Sequence, residues 1–330
     1  MNWVPSIVLL LVKLGVILAG LLLGAAWLAF AERKLLGRMQ IRLGPNRAGP
    51  HGLLQPLADI VKMLTKEDTM PQGADRVVFR YAPAITAVTA LLIFAVVPFG
   101  RDLNIAGRRL PLVVADLNVG LLFVIALSSL SVYGVFLGAW ASNSKYSLMG
   151  GIRAAAQTIS CELAMGLSLV PVVMLARSFS LVDIVQAQRH IPFALAQPLA
   201  FVIFFVSSLA EIKRIPFDLP EAENELVAGY HTEYSGMRFG LYFMGEYTAM
   251  IVLGSLTAVF FLGGWRGPWL PSLVWFFIKV FLVVFALIWS RATLPRLRYD
   301  QLMSLGWKLM IPLALLNIVV TGGVLVLWGV

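Results

Sequence analysis

Long apolar runs separated by short polar connections set the pattern of this chain. A bilayer core takes about 20 apolar residues per helix, and runs of that kind fall at 6–31, 80–99, 114–141, 155–176, 194–214, 238–263, 271–291 and 309–328. They predict an all-α integral membrane protein with about eight transmembrane helices, forming a single transmembrane domain over 1–330. The polar connections at 32–80, 142–154, 215–238 and 292–308 are expected on one side of the bilayer, the cytoplasmic one. The first run has no Lys or Arg ahead of it and no small-residue cleavage site before Glu32-Arg33-Lys34, so it is expected to remain as a span.

Within 32–80 the periodicity changes. Leu53, Leu54, Leu57, Ile60, Val61 and Leu64 recur at helical spacing, with Gln55, Asp59, Lys62 and Lys66 on the opposite stripe. This predicts an amphipathic helix lying in the cytoplasmic interface. The preceding Gly44–Pro50 segment is a run of turn formers, too irregular for a phosphate loop.

The stretch from Ser207 to Tyr247 holds seven acids, Glu211, Asp218, Glu221, Glu223, Glu225, Glu233 and Glu246. Pro216 and Pro220 stop the fifth run from continuing as helix, so the acids form a polar loop whose two outermost members lie inside the flanking spans. A carboxylate at the bilayer centre costs roughly 2.5 kcal/mol or more and usually faces a protein interior or a water-filled path. Glu221 and Glu225 share a face if the stretch is helical, and Glu221, Glu223 and Glu225 share one if it is extended. In either case like charges crowd, which raises at least one pKa toward neutrality and makes proton exchange plausible. The three loop cations, Lys213, Arg214 and Arg238, are too few to neutralise seven acids. Glu162, about two turns into the fourth span among small residues, must be paired, protonated or hydrated.

Lys13 and Lys279 are mid-span cations, each able to snorkel to an interface or to partner an acid. Arg291, Arg296 and Arg298 are set close together after the seventh span, suited to lipid phosphate or to the nearby acids. Trp265 and Trp269 suit an outer aromatic belt. His190 reads as a solvated loop residue, and His231 as a hydrogen-bonding loop residue with no second ligand at metal spacing.

Composition closes off other classes. At 59% hydrophobic and 13% charged, the chain is too apolar for a soluble domain. Its formal charge of +9 does not point to nucleic acid, because about eighteen basic residues fall on one set of connections, against Arg101, Arg108, Arg109, Arg177, Arg189 and Arg266 on the other. The richer set is therefore expected in the cytoplasm and both termini outside. The one cysteine, Cys161, excludes a disulfide framework or an iron–sulfur or zinc site made by this chain alone.

Three segments, AERKLLGRMQIRLGPNRAGPHGLLQPLADIVKMLTKED (31–68), EIKRIPFDLPEAENELVAGYHTEYSGMRF (211–239) and LPRLRYDQLMSLGWK (294–308), closely resemble the signature loops of the H-type membrane subunits of proton-translocating NADH:quinone oxidoreductase, respiratory complex I. The resemblance covers essentially the whole chain. It implies a subunit of the bacterial inner membrane, or an equivalent energy-transducing membrane, that forms much of the quinone chamber and binds no cofactor by itself. Quinone would be the substrate, with flavin and iron–sulfur clusters in partner subunits. The implied partners are the peripheral-arm subunits, including the one with the terminal cluster, and the small and antiporter-like membrane subunits. By the same resemblance Glu32, Arg33, Asp59, Arg291, Arg296 and Arg298 would line or flank the chamber. Glu162, Glu211, Glu221, Glu223, Glu225, Glu233 and Glu246 would form an acidic path leading away from it.

Other classes compete. The equivalent membrane component of a related membrane-bound hydrogenase would need no quinone cavity. A free-standing secondary transporter would account for Lys13, Lys279 and Glu162, but the two halves lack the paired helix breaks of an inverted repeat. An assembly scaffold has no need of carboxylates inside helices.

Overall fold

The computed structural model describes residues 3–105 and 108–327; the side chains of 3–9, 103–105, 108–110, 223 and 224 lie outside what is described. Among the described residues seven helices are long and apolar enough to cross a bilayer. Six are α1 (Trp3–Met39), α3 (Arg76–Ile93), α4 (Gly120–Ala141), α5 (Lys145–Ala176), α10 (Gly236–Phe261) and α11 (Ser272–Thr293). The seventh is the continuous 299–327 segment, in which α12 (Tyr299–Ser304) passes through a π-helical turn at 305–310 into α13 (Ile311–Leu327). Between them lie α2 (Gln55–Thr65), α6 (Leu181–Ala187), α7 (Phe193–Ala196), α8 (Pro198–Glu211) and α9 (Glu223–Leu226). A small antiparallel hairpin, β1 (Leu103–Ile105) with β2 (Arg108–Leu110), pairs Leu103 with Leu110 in the connection after α3.

The predicted fifth span differs in that its helix is too short to cross by itself. Helix α8 has 14 residues, about 21 Å at 1.5 Å per residue, short of a hydrocarbon core of about 30 Å. Pro198 opens it and Pro216 follows its end, where the backbone leaves helical geometry. The carbonyls freed there are satisfied from α5: buried Gln157 donates to Ala210 O and Phe217 O, each at 2.8 Å. Irregular backbone at membrane depth is tolerated where protein supplies such partners.

Helices overrun the expected loops at three places. α1 continues to Met39 because Glu32, Arg33, Lys34, Leu35 and Leu36 are all good helix formers, so Glu32 and Arg33 are helical and the first connection starts at Gln40. The 142–154 connection shrinks to 142–144, and Lys145–Arg153 forms the first turns of α5. Gly150 in those turns lets the helix approach the loop at 229–230: a Cβ there would lie 2.6 Å from Tyr230 N. The 292–308 connection ends at Arg298, where α12 begins.

Helix α10 lies at the centre, packed against α1, α2, α3 and α11, while α5 packs against α4, α8 and α13. The outward faces of α1 (Val16, Leu23) and α13 (Val319, Val320) are exposed and apolar, as lipid-facing surfaces are. Of the amphipathic stretch, Gln55–Thr65 is helical as α2, with Leu57, Val61 and Leu64 pointing away from the protein, while Leu53 and Leu54 lie in the turn before it. Trp269 is fully exposed, as an aromatic belt requires, but Trp265 is buried in the core.

The two mid-span lysines pair with carbonyl oxygens, not with carboxylates. Lys279 donates to Leu262 O, Gly264 O and Arg266 O at 2.6, 2.9 and 2.6 Å, closing the irregular backbone where α10 ends. Lys13 reaches the same side of the molecule and donates to Pro111 O at 2.7 Å and to Val113 O.

Candidate functional site

The acids gather at the opposite end from those lysines, where α1, α10 and α11 converge on the 212–222 loop. Glu32 is 1% exposed. It sits one helical residue before Arg33 and so points to another side of α1. Its Oε1 takes a hydrogen bond from Arg291 at the end of α11 and lies 3.7 Å from Arg214 Nη1. The other arm of Arg214, Nη2, lies 3.2 Å from Glu246 Oε2 in α10, and the guanidinium stacks 4.8 Å over the Tyr247 ring. One arginine thus bridges two buried carboxylates from different helices.

The line continues through a tyrosine. The Tyr230 hydroxyl, fully inside the protein, donates to Glu246 Oε1 at 2.7 Å and lies 3.3 Å from Glu221 Oε1. Burial, and then the charge of Glu246, push the Glu221 carboxyl well above the usual range. The like-charge crowding expected for this loop therefore exists, but between Glu221 and Glu246. Glu225 takes no part in it.

Beyond Tyr230 lies a cavity of about 60 Å³ lined by Glu211, Lys213, Tyr230, Glu246, Ser128, Ser131 and Thr86 among apolar side chains. At about 10–15 Å³ per water it has room for on the order of four waters. Glu211 Oε2 and Thr86 Oγ1 are buried without a protein hydrogen-bond partner, so the wall offers unsatisfied acceptors to water. Glu162 lies on the far side, its Oε1 accepting from Ser128 and Ser129 at 2.5 and 2.8 Å, within electrostatic reach of Glu211. Glu32, Glu246, Glu221, Glu211 and Glu162 thus form one series of buried and partly buried carboxylates, of which Glu246 and Glu211 line the cavity.

The remaining expected residues divide. Asp59 in α2 takes a hydrogen bond from Arg33 and a second from Gln55 at 3.0 Å, which ties the interfacial helix to α1. Arg296 donates to Asp218 O, and burial lifts the Asp218 carboxyl to about 6 despite Arg296 and Arg291 nearby. Arg298 stays outside: it is exposed and pairs with Asp300 at 2.7 Å. Glu225 is exposed and pairs with Arg153 at 2.5 Å, and the hydrogen bond from Arg153 holds its carboxyl below the usual range. Arg238 serves Asp68, at 3.0 Å, and no acid of the loop. Glu233 is half-buried and makes no ion pair among the described residues, and the Glu223 side chain lies outside them. Among the described residues no group of His, Cys, Asp and Glu is arranged to hold a metal ion.

Sequence reasoning missed two members. Arg214 was legible only as one of several loop cations, and Tyr230 carried no signal beyond being a hydroxyl-bearing aromatic among acids.

Fold and site together define a multi-pass helical membrane protein whose buried carboxylates run from one membrane face into the helix bundle. The chain belongs to the NADH dehydrogenase family, whose profile matches residues 12–322. It is 68% identical over 328 residues to the second H-type subunit of NADH-quinone oxidoreductase from Syntrophobacter fumaroxidans, covering 99% of both chains. It is 62% identical over 324 residues to the H-type subunit of NADH-quinone oxidoreductase from Syntrophotalea carbinolica, covering 98% of both. Over 317 residues it is 64% identical to the first such subunit of Geobacter metallireducens, 96% of each chain being covered.

Proposed function

We propose that this chain is the membrane subunit of an NADH:quinone oxidoreductase complex that walls the quinone site and converts quinone reduction into charge movement along its buried acids. The single observation that carries the reading is the unbroken line from Arg291 and Glu32 through Arg214, Glu246 and Tyr230 to Glu221 and the Glu211 cavity. The names of the relatives support quinone chemistry over a hydrogenase or a free-standing transporter.

The quinone headgroup is taken to lie near Glu32, Arg33, Asp59, Arg291 and Arg296, at the convergence of α1, α2 and α11, with Arg298 at the outer rim. An iron–sulfur cluster in a peripheral partner would supply the electrons, and that partner, with a flavin-bearing one, would dock on the face carrying α2 and the 212–222 loop. A doubly reduced quinone demands protons. Withdrawing them near Glu32 unbalances the charges that Arg214 shares with Glu246, and Glu221 and Glu211 answer by exchanging protons through Tyr230 and cavity water. Glu162 passes the change to neighbouring membrane subunits. The acid-bearing face is the cytoplasmic side of the inner membrane, and both termini are outside.

Glu211→Gln in the assembled complex tests this. Quinone reductase activity and proton pumping are expected to fall together, while NADH oxidation by a hydrophilic artificial acceptor, which bypasses the membrane part, is unchanged. Full quinone reductase activity with full pumping in this variant would count decisively against the reading.

A further inference from the structure

At the end of the molecule opposite the acids, a cleft of about 720 Å³ opens between the 188–192 turn, the 262–272 connection and the start of α11. Arg101, Arg189, Arg266 and Lys279 line it, and no Asp or Glu does. Three of the six arginines expected on this side of the bilayer therefore converge on one hollow. Among the described residues none of the three forms an ion pair. Burial, and then the charges of Arg101 and Arg189, hold Arg266 below the usual arginine range, as expected of guanidinium groups gathered without a counter-charge.

The hollow is built, not incidental. Its floor is fixed by Lys279, whose three donors hold the carbonyls of Leu262, Gly264 and Arg266. Its inner wall is fixed by buried Gln188, which donates to Val259 O and accepts from Gly263 N, both at 2.8 Å. The Trp275 indole closes the rim by donating to Pro268 O at 2.7 Å. Because α10 ends and α11 begins here, the cleft sits at the level of the membrane surface, with Trp269 fully exposed beside it.

We propose that this cleft binds a phosphate-bearing anion, its phosphate oxygens held by Arg101, Arg189 and Arg266. Arginine presents a planar fork of donors that matches phosphate geometry, and a guanidinium cluster at the headgroup level, with apolar Leu262, Trp265 and Leu270 in the same lining, suits the headgroup and upper chain of an anionic phospholipid. The same guanidinium groups would take free phosphate.

The two sources are separated by titrating the detergent-purified complex with short-chain phosphatidylglycerol, short-chain phosphatidylcholine and inorganic phosphate in turn, counting bound molecules by native mass spectrometry. The wild type is expected to take one more phosphatidylglycerol than Arg189→Gln/Arg266→Gln, with affinity for that molecule at least about tenfold above phosphatidylcholine. Arg101→Gln, at an exposed position whose change leaves folding alone, is expected to weaken the same binding part-way. Inorganic phosphate that binds the wild type, and is lost in the double variant while lipid binding is not, also supports the site and identifies the free ion as its ligand. Equal binding of all three probes by wild type and both variants would overturn the proposal.

Discussion

Arg291 and Glu32, 259 positions apart in the chain, are joined by a hydrogen bond from a guanidinium at the end of α11 to a carboxylate 1% exposed in α1. The same carboxylate oxygen also faces Arg214, which reaches on to Glu246. Loss of Arg291 therefore leaves Glu32 one cation, whereas loss of Arg214 leaves Glu246 without its ion pair. Arg214→Gln is expected to destabilise the fold by about 3–5 kcal/mol, the cost of breaking a buried pair. Arg291→Gln should cost roughly 1.5–3 kcal/mol, the range for a hydrogen bond to a charged group. Thermal unfolding of the two variants in one detergent checks the ranking; a larger loss in Arg291→Gln would show that Arg214 does not bridge the two acids.

Two carboxylates that look alike in the acidic stretch should behave oppositely. Glu211 is enclosed beside the cavity, whereas Glu225 has more than half of its side chain exposed and is paired with Arg153 near the surface. A pair at the surface is worth about 0–1 kcal/mol. Glu225→Gln should therefore shift stability by less than about 1 kcal/mol and leave quinone reductase activity near wild type, in contrast to Glu211→Gln. Parallel assays of both variants in assembled complex decide it: equal losses would put Glu225 on the working path.

Asp218 gives a pH dependence of definite sign. Burial holds its carboxyl up at about 6 in the folded protein, against about 3.9 for an unperturbed aspartate. The folded state therefore favours the protonated form. Below the unfolded value there is no penalty; as pH rises through the interval to about 6 the folded state loses stability, and above it the loss is complete. Asp218→Asn removes the charge, so it should raise Tm at about pH 8 and leave it nearly unchanged at about pH 4. A Tm that falls at the higher pH would mean that Arg296 and Arg291 outweigh burial at this position.

The spans were legible because a bilayer imposes its own length on apolar runs, and the acids were legible because carboxylates inside such runs are costly. Helix ends were not, since α1 continues past its apolar run on residues such as Glu32-Arg33-Lys34 that favour helix without being apolar. The shortness of α8 was written only in Pro198 and Pro216, punctuation that an apolar stretch from 194 to 214 hid. Partner choice was beyond reach of pattern. Arg153 lies closer in sequence to Glu162 than to Glu225, and Arg214 lies beside Glu211, yet Arg153 takes Glu225 and Arg214 takes Glu32 and Glu246. Those pairings follow from which helix faces meet after packing.

Helix α2 supplies a prediction about the membrane itself. Asp59 anchors it to Arg33, and the face turned away carries Leu57, Val61 and Leu64 at 59%, 52% and 63% exposure. Such a stripe on a helix this short gains stability by entering the headgroup boundary, each side chain contributing up to about 1.5–3 kcal/mol when fully buried. Val61→Trp in reconstituted chain should therefore add, over the emission of the nine native tryptophans, a short-wavelength component quenched by lipids brominated near the headgroup. Adding Leu57→Glu should reduce that quenching while the Asp59 anchor keeps α2 against α1. Loss of that added quenching on assembly into the complex would show that a partner covers this face, and a variant quenched no more than the parent chain in either state would place the stripe against protein and not lipid.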